Sequence, residues 1–314
     1  MKNWKKSLLL LAITLASLCF NFVKDATGQR KQRNFIINSS PDKTIADCAQ
    51  ITIQGDGWQV VRSEQERAIP KSAVSSLEVQ APRYGGINVS GWNRDQYSIK
   101  ACLGAAGESA AEAQRLLAQI VLVAQDGRVT VTGPGGDTWM GYLIIRAPRD
   151  ATMRLKAMHA AIVINSITGD IEARNQNGSL SLHNVDGQVR AEVTNGPISV
   201  SGSRGEYRLH AQNGPLTVEL LGNRWESGKL EGSAQNGPLV LMLPPEYKSA
   251  VRVDTSKRSP VECRAAQCEE AARTRDNPNL IEFGGPNPVV KLSTVNGSTT
   301  VMSSNAKTPG YSGR

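Results

Sequence analysis

The sequence predicts an all-β chain: a parallel β-solenoid of about 18 residues per coil, preceded by a mixed N-terminal strand and helix part. Three observations carry this. Gly169, Gly178, Gly187, Gly196, Gly205 and Gly214 recur every nine residues, and after a five-residue insertion Gly228 and Gly237 resume the spacing. Two and four places after each Gly stand small or apolar side chains, such as Leu180 and Leu182 or Ile198 and Val200, the period-two mark of a half-buried strand. Asn precedes the Gly only at every second unit, in Asn177-Gly178, Asn195-Gly196, Asn213-Gly214 and Asn236-Gly237, so the full repeat is two strands long. The residue three after the Gly divides the same way. It is Ser181, Ser199, Thr217 and Val240 in one class, and Glu172, Arg190, Arg208 and Glu231 in the other. Two strand-bearing faces per coil, with equivalent residues stacked on successive coils, produce this division. Gly is expected to supply positive φ at the turns, and Asn to tolerate the left-handed region or to hydrogen-bond its stacked equivalent. The rival is an antiparallel β-meander, because Asn-Gly is also the strongest two-residue hairpin signal.

The elements follow in order. Residues 1–28 read as a signal peptide: Lys2, Lys5 and Lys6 precede the apolar run Ser7–Val23, and Ala26-Thr27-Gly28 offers a small-residue cleavage site. The alternative is an uncleaved anchor, since the run lies at the lower edge of a membrane span. Polar residues 29–50 read as a flexible lead-in. Within 51–150, Ser76–Ala81, Gly86–Ser90, Gly127–Val131 and Tyr142–Ile145 read as strands, while Glu108–Val121 places Ala111, Leu116, Leu117 and Ile120 on one helical face. Residues 151–302 carry the repeats, interrupted by an irregular charged stretch, 253–286, that reads as a loop insertion. Residues 303–314 read as a disordered tail.

Composition narrows the function. The 314 residues include 29 Gly, but only 5 % are aromatic, which suits a slim aliphatic core and fits poorly with an aromatic-lined cofactor pocket. No cofactor is expected. The formal charge is +8; removal of residues 1–28 leaves 32 bases and 27 acids, or +5. These bases are spread along the chain, whereas a phosphate-binding footprint is concentrated, so no nucleic acid partner is expected. A membrane is expected only through the signal segment, if it is uncleaved. With that segment removed, Cys48, Cys102, Cys263 and Cys268 remain. Cys263 and Cys268 are too widely spaced for a zinc knuckle, and disulfides Cys48–Cys102 and Cys263–Cys268 are expected, in an oxidising compartment.

No catalytic constellation stands out. Gly-x-Ser-x-Gly, Walker and His-Glu-x-x-His motifs are absent from the sequence. His183 and His210 fall on opposite faces of the predicted coil and cannot share a metal. Glu172 and Glu231 share a face but are separated by the two arginine coils, too far apart for paired-carboxylate hydrolysis. The Glu172, Arg190, Arg208, Glu231 series reads first as a solvated ladder. Trp225, beside Arg224 in the loop that interrupts the repeat, either covers an apolar coil or joins Arg190 and Arg208 in a ligand-binding surface.

Trp225 through Gly237 leading to Leu243-Pro244, Gly86 through Trp92, and Leu292 through Gly297 together resemble a large bacterial family of unknown function whose members are provisionally named adhesins. The resemblance covers about residues 75–302 and implies a β-helix or β-roll envelope protein, with no catalytic residues to carry over. The expected function is therefore an exported, non-enzymatic protein of the periplasm, cell surface or medium, binding an envelope glycan or a surface protein. Two alternatives stand beside it: a carbohydrate-active β-helical enzyme and a self-assembling envelope filament.

Overall fold

The computed structural model describes residues 35–38, 44–55, 57–256, 259–273, 277 and 279–304, all within one compact unit, Phe35–Arg314. The expected signal peptide (1–28) lies outside the described residues, as do half of the lead-in and most of the tail. The described residues are all-β, 56 % strand and 7 % helix.

Two eleven-stranded mixed sheets form the body. In the first, here the ladder sheet, the spatial order is Leu280–Phe283, Val251–Thr255, Val290–Asn296, Leu230–Asn236, Glu206–Asn213, Gln188–Asn195, Ile171–Asn177, Met153–Ala157, Leu77–Gln80, Arg128–Thr132 and Val121–Gln125. In the second, the serine sheet, it is Val261–Cys263, Thr299–Ser303, Leu239–Leu243, Leu216–Leu220, Ile198–Gly202, Leu180–His183, Ile162–Asn165, Ile87–Trp92, Trp139–Pro148, Gln96–Gly107 and Gln59–Pro70. Through the repeats the chain alternates between the sheets, and each strand pairs in parallel with the one eighteen residues on. Ile171 faces Val189, which faces Tyr207; Leu180 faces Ile198, which faces Leu216. Consecutive Asn-Gly-linked strands thus lie in different sheets and do not pair as hairpins.

Alternate residues of both sheets point into one apolar core, so Leu180, Leu182, Ile198, Leu216, Val218, Leu230 and Leu239 are fully buried. Burying each such side chain stabilises the fold by roughly 1.5–3 kcal/mol. The register also holds across the interruption: Tyr207 pairs with Leu230, twenty-three residues on, because the five extra residues are taken up in the loop between strands.

Four expectations need correction. The repeat architecture does not begin at residue 151: Leu77–Gln80 and Ile87–Trp92 pair in parallel with Met153–Ala157 and Ile162–Asn165, and Arg128–Thr132 and Trp139–Pro148 add a further parallel layer. Residues 253–286 are not simply a loop insertion. Val251–Thr255 and Val261–Cys263 pair in parallel with Val290–Asn296 and Thr299–Ser303, and Leu280–Phe283 adds an antiparallel edge. The strands 290–303 therefore slot between 230–243 and 251–263. The lead-in is packed at its described end: Ile45, with Ile51 and Ile53 just beyond it, builds a second apolar cluster with Cys102, Met140, Tyr142 and Ile144 on the outer side of the serine sheet, fastened by the Cys48–Cys102 disulfide. The helix is Ala110–Leu117, N-capped by Ser109; it buries Ala113 and Leu117, while Ala111 is exposed.

The turns meet the expectation in one class and differ in the other: Gly187, Gly205 and Gly228 have the expected positive φ. Among the Asn-Gly turns only Gly196 has a positive φ (149°), and no repeat Asn is left-handed. Gly is required there by stacking: a Cβ on Gly196, Gly214 or Gly237 would lie 2.1–2.4 Å from the carbonyl oxygen of the glycine one layer below.

Candidate functional site

The outward face of the ladder sheet brings charged residues into one column. Successive strands sit about 4.8 Å apart, and register places Arg128, Glu78, Arg154, Glu172, Arg190, Arg208, Glu231, Lys291, Arg252 and Glu282 in line. The expected series of four is thus the centre of a run of ten. Signs mostly alternate, and the alternation fails twice, at Arg190–Arg208 and at Lys291–Arg252. Both arginines are well exposed, at 59 % and 63 %.

A neighbouring outward column holds Arg174, Glu192, His210, Ser233, Ser293 and Asp254. Glu192 binds Arg190 at 2.6 Å and Arg174 at 3.1 Å. Partial burial pushes its carboxyl up, but the two guanidinium groups outweigh this and hold it below the usual carboxylate range. His210 Nδ1 lies 2.9 Å from Ser233 Oγ. Glu192 is in register on the other side of His210, yet its oxygens are engaged by the two arginines, so the three residues form no acid–histidine–serine relay. Arg190 and Arg208 stand between two clefts, one of about 380 Å³ reaching to Ser233, Ser293 and Lys291, the other of about 290 Å³ reaching to Arg154, Asp170 and Gln188.

Trp225 does not join them. It is 6 % exposed, donates its indole N–H to the Gly205 carbonyl at 3.1 Å and meets the Tyr207 ring edge-on. The bulge folds this ring down over the core, which removes it from the expected ligand-binding set. His183 lies in the serine sheet, His210 in the ladder sheet. Glu172 and Glu231 are three strands apart, about 14 Å along the column. Among the described residues no three His, Cys, Asp or Glu side chains are placed to hold a metal, and no helix is long and apolar enough to cross a membrane.

The expected structural residues are brought together. Asn195 Nδ2 donates to Asn177 Oδ1 at 2.7 Å, and Asn213, Asn236 and Asn296 continue the chain at 2.9 Å each. Both disulfides are formed, with Cα–Cα distances of 5.4 Å for Cys48–Cys102 and 5.7 Å for Cys263–Cys268. Sequence reasoning missed Lys291, Ser233 and Ser293. Lys291 faces Glu231 across sixty residues of chain, an offset that no fixed period reveals.

No family model and no curated protein matches the chain. Solved structures similar to it include a provisionally named cell adhesion protein from Clostridium sporogenes, 11 % identical, over 77 % of this chain and 100 % of that one, with a TM-score of 0.32. A provisionally named adhesin from Bacteroides fragilis is 9 % identical over 78 % and 97 % of the two chains, TM-score 0.36. A provisionally named lipid binding protein from Parabacteroides distasonis is 6 % identical over 77 % and 95 %, TM-score 0.28.

Proposed function

We propose that this chain is an exported, non-enzymatic β-solenoid of the cell envelope that binds or scaffolds at the surface through its ladder sheet. The solenoid reading is supported by the parallel eighteen-residue register and the alternation between sheets. Export is supported by the two disulfides, which persist in oxidising compartments. One observation carries the binding role: Arg190 and Arg208 stack as exposed neighbours at one of two like-charged steps in a column that mostly pairs opposite charges; at the other, Lys291–Arg252, Arg252 is held by Asp254 and Glu282. Like charges directly opposite on adjacent strands are destabilising, and a bound anion relieves that repulsion. The partner in this reading is an envelope glycan or surface protein that presents negative charge.

The test is retention of labelled protein on intact bacterial envelopes and on glycan isolated from them. The Arg190→Ala/Arg208→Ala variant is expected to lose most retention, and undiminished retention would sink the proposal. A carbohydrate-active enzyme is disfavoured by the separation of Glu172 from Glu231, which exceeds the ~6.5–9.5 Å of paired hydrolytic carboxylates. The filament reading is disfavoured at one edge. Gln65 accepts from the Leu122 N–H at 2.8 Å and donates to the Ile120 carbonyl at 2.9 Å, occupying backbone groups that another copy would need.

A further inference from the structure

The larger cleft on the ladder face has a composition of its own. Its outward column drops from His210 to two hydroxyl side chains, Ser233 and Ser293, before Asp254 closes it. Two short residues on adjacent strands leave the floor, while Arg208, Glu231 and Lys291 of the neighbouring column form the wall. The charges around it are unequally engaged. Glu192 is neutralised by Arg174 and Arg190, Glu231 is met by Lys229 at 3.4 Å, and Asp254 is held by Arg252 at 2.8 Å. The two wall cations have less. Arg208 reaches only Glu206, at 3.7 Å, and exposed Lys291 makes no salt bridge among the described residues.

The cleft therefore offers two under-neutralised cations beside a floor of hydroxyls and one imidazole. Resting on the surface-binding role above, we propose that it is a subsite for an acidic sugar unit of a polysaccharide. The carboxylate is taken by Arg208 and Lys291, and the sugar hydroxyls by Ser233, Ser293 and His210. A bare inorganic anion would use the cations and leave the serine floor unmatched. A hydrophobic peptide would find no apolar wall, since Leu209 and Leu292 at the base are buried in the core. Charge-assisted hydrogen bonds from two cations give affinity, and the hydroxyl floor gives preference for a polyol.

The experiment is equilibrium binding of the full chain to polygalacturonate at fixed ionic strength. Its methyl-esterified form, neutral dextran, dextran sulfate and inorganic phosphate serve as comparison probes. Polygalacturonate is expected to bind, and its methyl ester and dextran are not. Loss of one charge-assisted contact in Lys291→Ala or Arg208→Ala is expected to weaken binding about tenfold. Ser233→Val, a strand-compatible change that blocks the floor, is expected to weaken polygalacturonate but not dextran sulfate. Arg128→Ala, at the far end of the column, is expected to leave binding unchanged, and far-UV circular dichroism checks that every variant is folded.

The subsite is overturned if Arg128→Ala weakens binding as much as Lys291→Ala does, which would mean diffuse attraction by the whole column. It is also overturned if dextran sulfate or phosphate binds as well as polygalacturonate and ignores Ser233→Val, if polygalacturonate fails to bind, or if reducing ends are released from it. Retention on envelopes that survives Lys291→Ala and Ser233→Val, yet is lost in Arg190→Ala/Arg208→Ala, would leave the surface-binding role standing and remove only the acidic-sugar subsite.

Discussion

Gly214 carries a hydrogen where any other residue would place a Cβ 2.1 Å from the Gly196 carbonyl oxygen. The clash is with backbone that is itself fixed by stacking, so relief requires the layers to separate. Gly214→Ala is accordingly expected to cost about 2 kcal/mol or more in urea unfolding. Gly135→Ala, with nothing within 4 Å, is expected to stay within about 0.5 kcal/mol of the parent. Tyr207 gives a second prediction, in pH. Its ring is fully buried, its hydroxyl donates to the Val185 carbonyl, and burial, with Asp186 nearby, pushes the phenol well above its ordinary value. A phenol that ionises less readily when folded contributes stability that is complete below about pH 10 and is lost as pH rises toward the folded value. Unfolding midpoints measured from pH 8 to 11 are expected to fall for the parent and to fall less steeply for Tyr207→Phe. The Asn and Gly of the repeat were legible from spacing, and so was the bonding of each Asn to its stacked equivalent. Spacing did not separate Gly187, Gly205 and Gly228, which meet a demand on φ, from Gly214 and Gly237, which meet a demand for closeness. Trp225 shows the opposite limit, because whether a loop tryptophan faces solvent or core depends on the Gly205 carbonyl and Tyr207 ring that receive it.

Strands at the sheet margins were the hardest elements to read. Gln59–Pro70 carries Arg62, Glu64, Glu66 and Arg67, a sequence that looks solvated and is in fact a twelve-residue antiparallel partner of Gln96–Gly107. Charge is what an edge strand uses to discourage further pairing. Gln65 on the same strand completes the protection by bonding to the backbone of Val121–Gln125, a short strand with Val121 and Val123 exposed. Gln65→Val is expected to free that backbone and to shift sedimentation velocity from a single species toward concentration-dependent association, while the parent stays unchanged over the same range. The segment containing Cys48 is a second marginal element. Its disulfide closes a loop of 54 residues, for which chain entropy gives a stabilisation of about 4 kcal/mol, against about 2 kcal/mol for the five-residue Cys263–Cys268 loop. Cys48→Ser/Cys102→Ser is therefore expected to lower the denaturant midpoint more than Cys263→Ser/Cys268→Ser does.

For the molecule as a whole, the repeats from 169 to 242 were legible because one period governs them, and the ends were not because the period breaks. Leu77 meets Met153 after seventy-six residues, and Leu230 meets Val290 after sixty, with other strands made in between. The site divides along the same line: Arg190 and Arg208 fall inside the periodic stretch, whereas Lys291 and Ser293 enter the cleft only through a long-range slot. That slot has a temporal side. Until residues 290–303 arrive, strands 251–255 and 261–263 have no parallel neighbour, and strands 230–236 and 239–243 each keep one open edge. A chain stopped at residue 286 is expected to be cut by a protease within 230–286 at concentrations that spare the longer chain. Closure of this end therefore depends on its latest strands: a chain without residues 290–303 leaves the backbone groups along one margin of each sheet unpaired, and their arrival satisfies them.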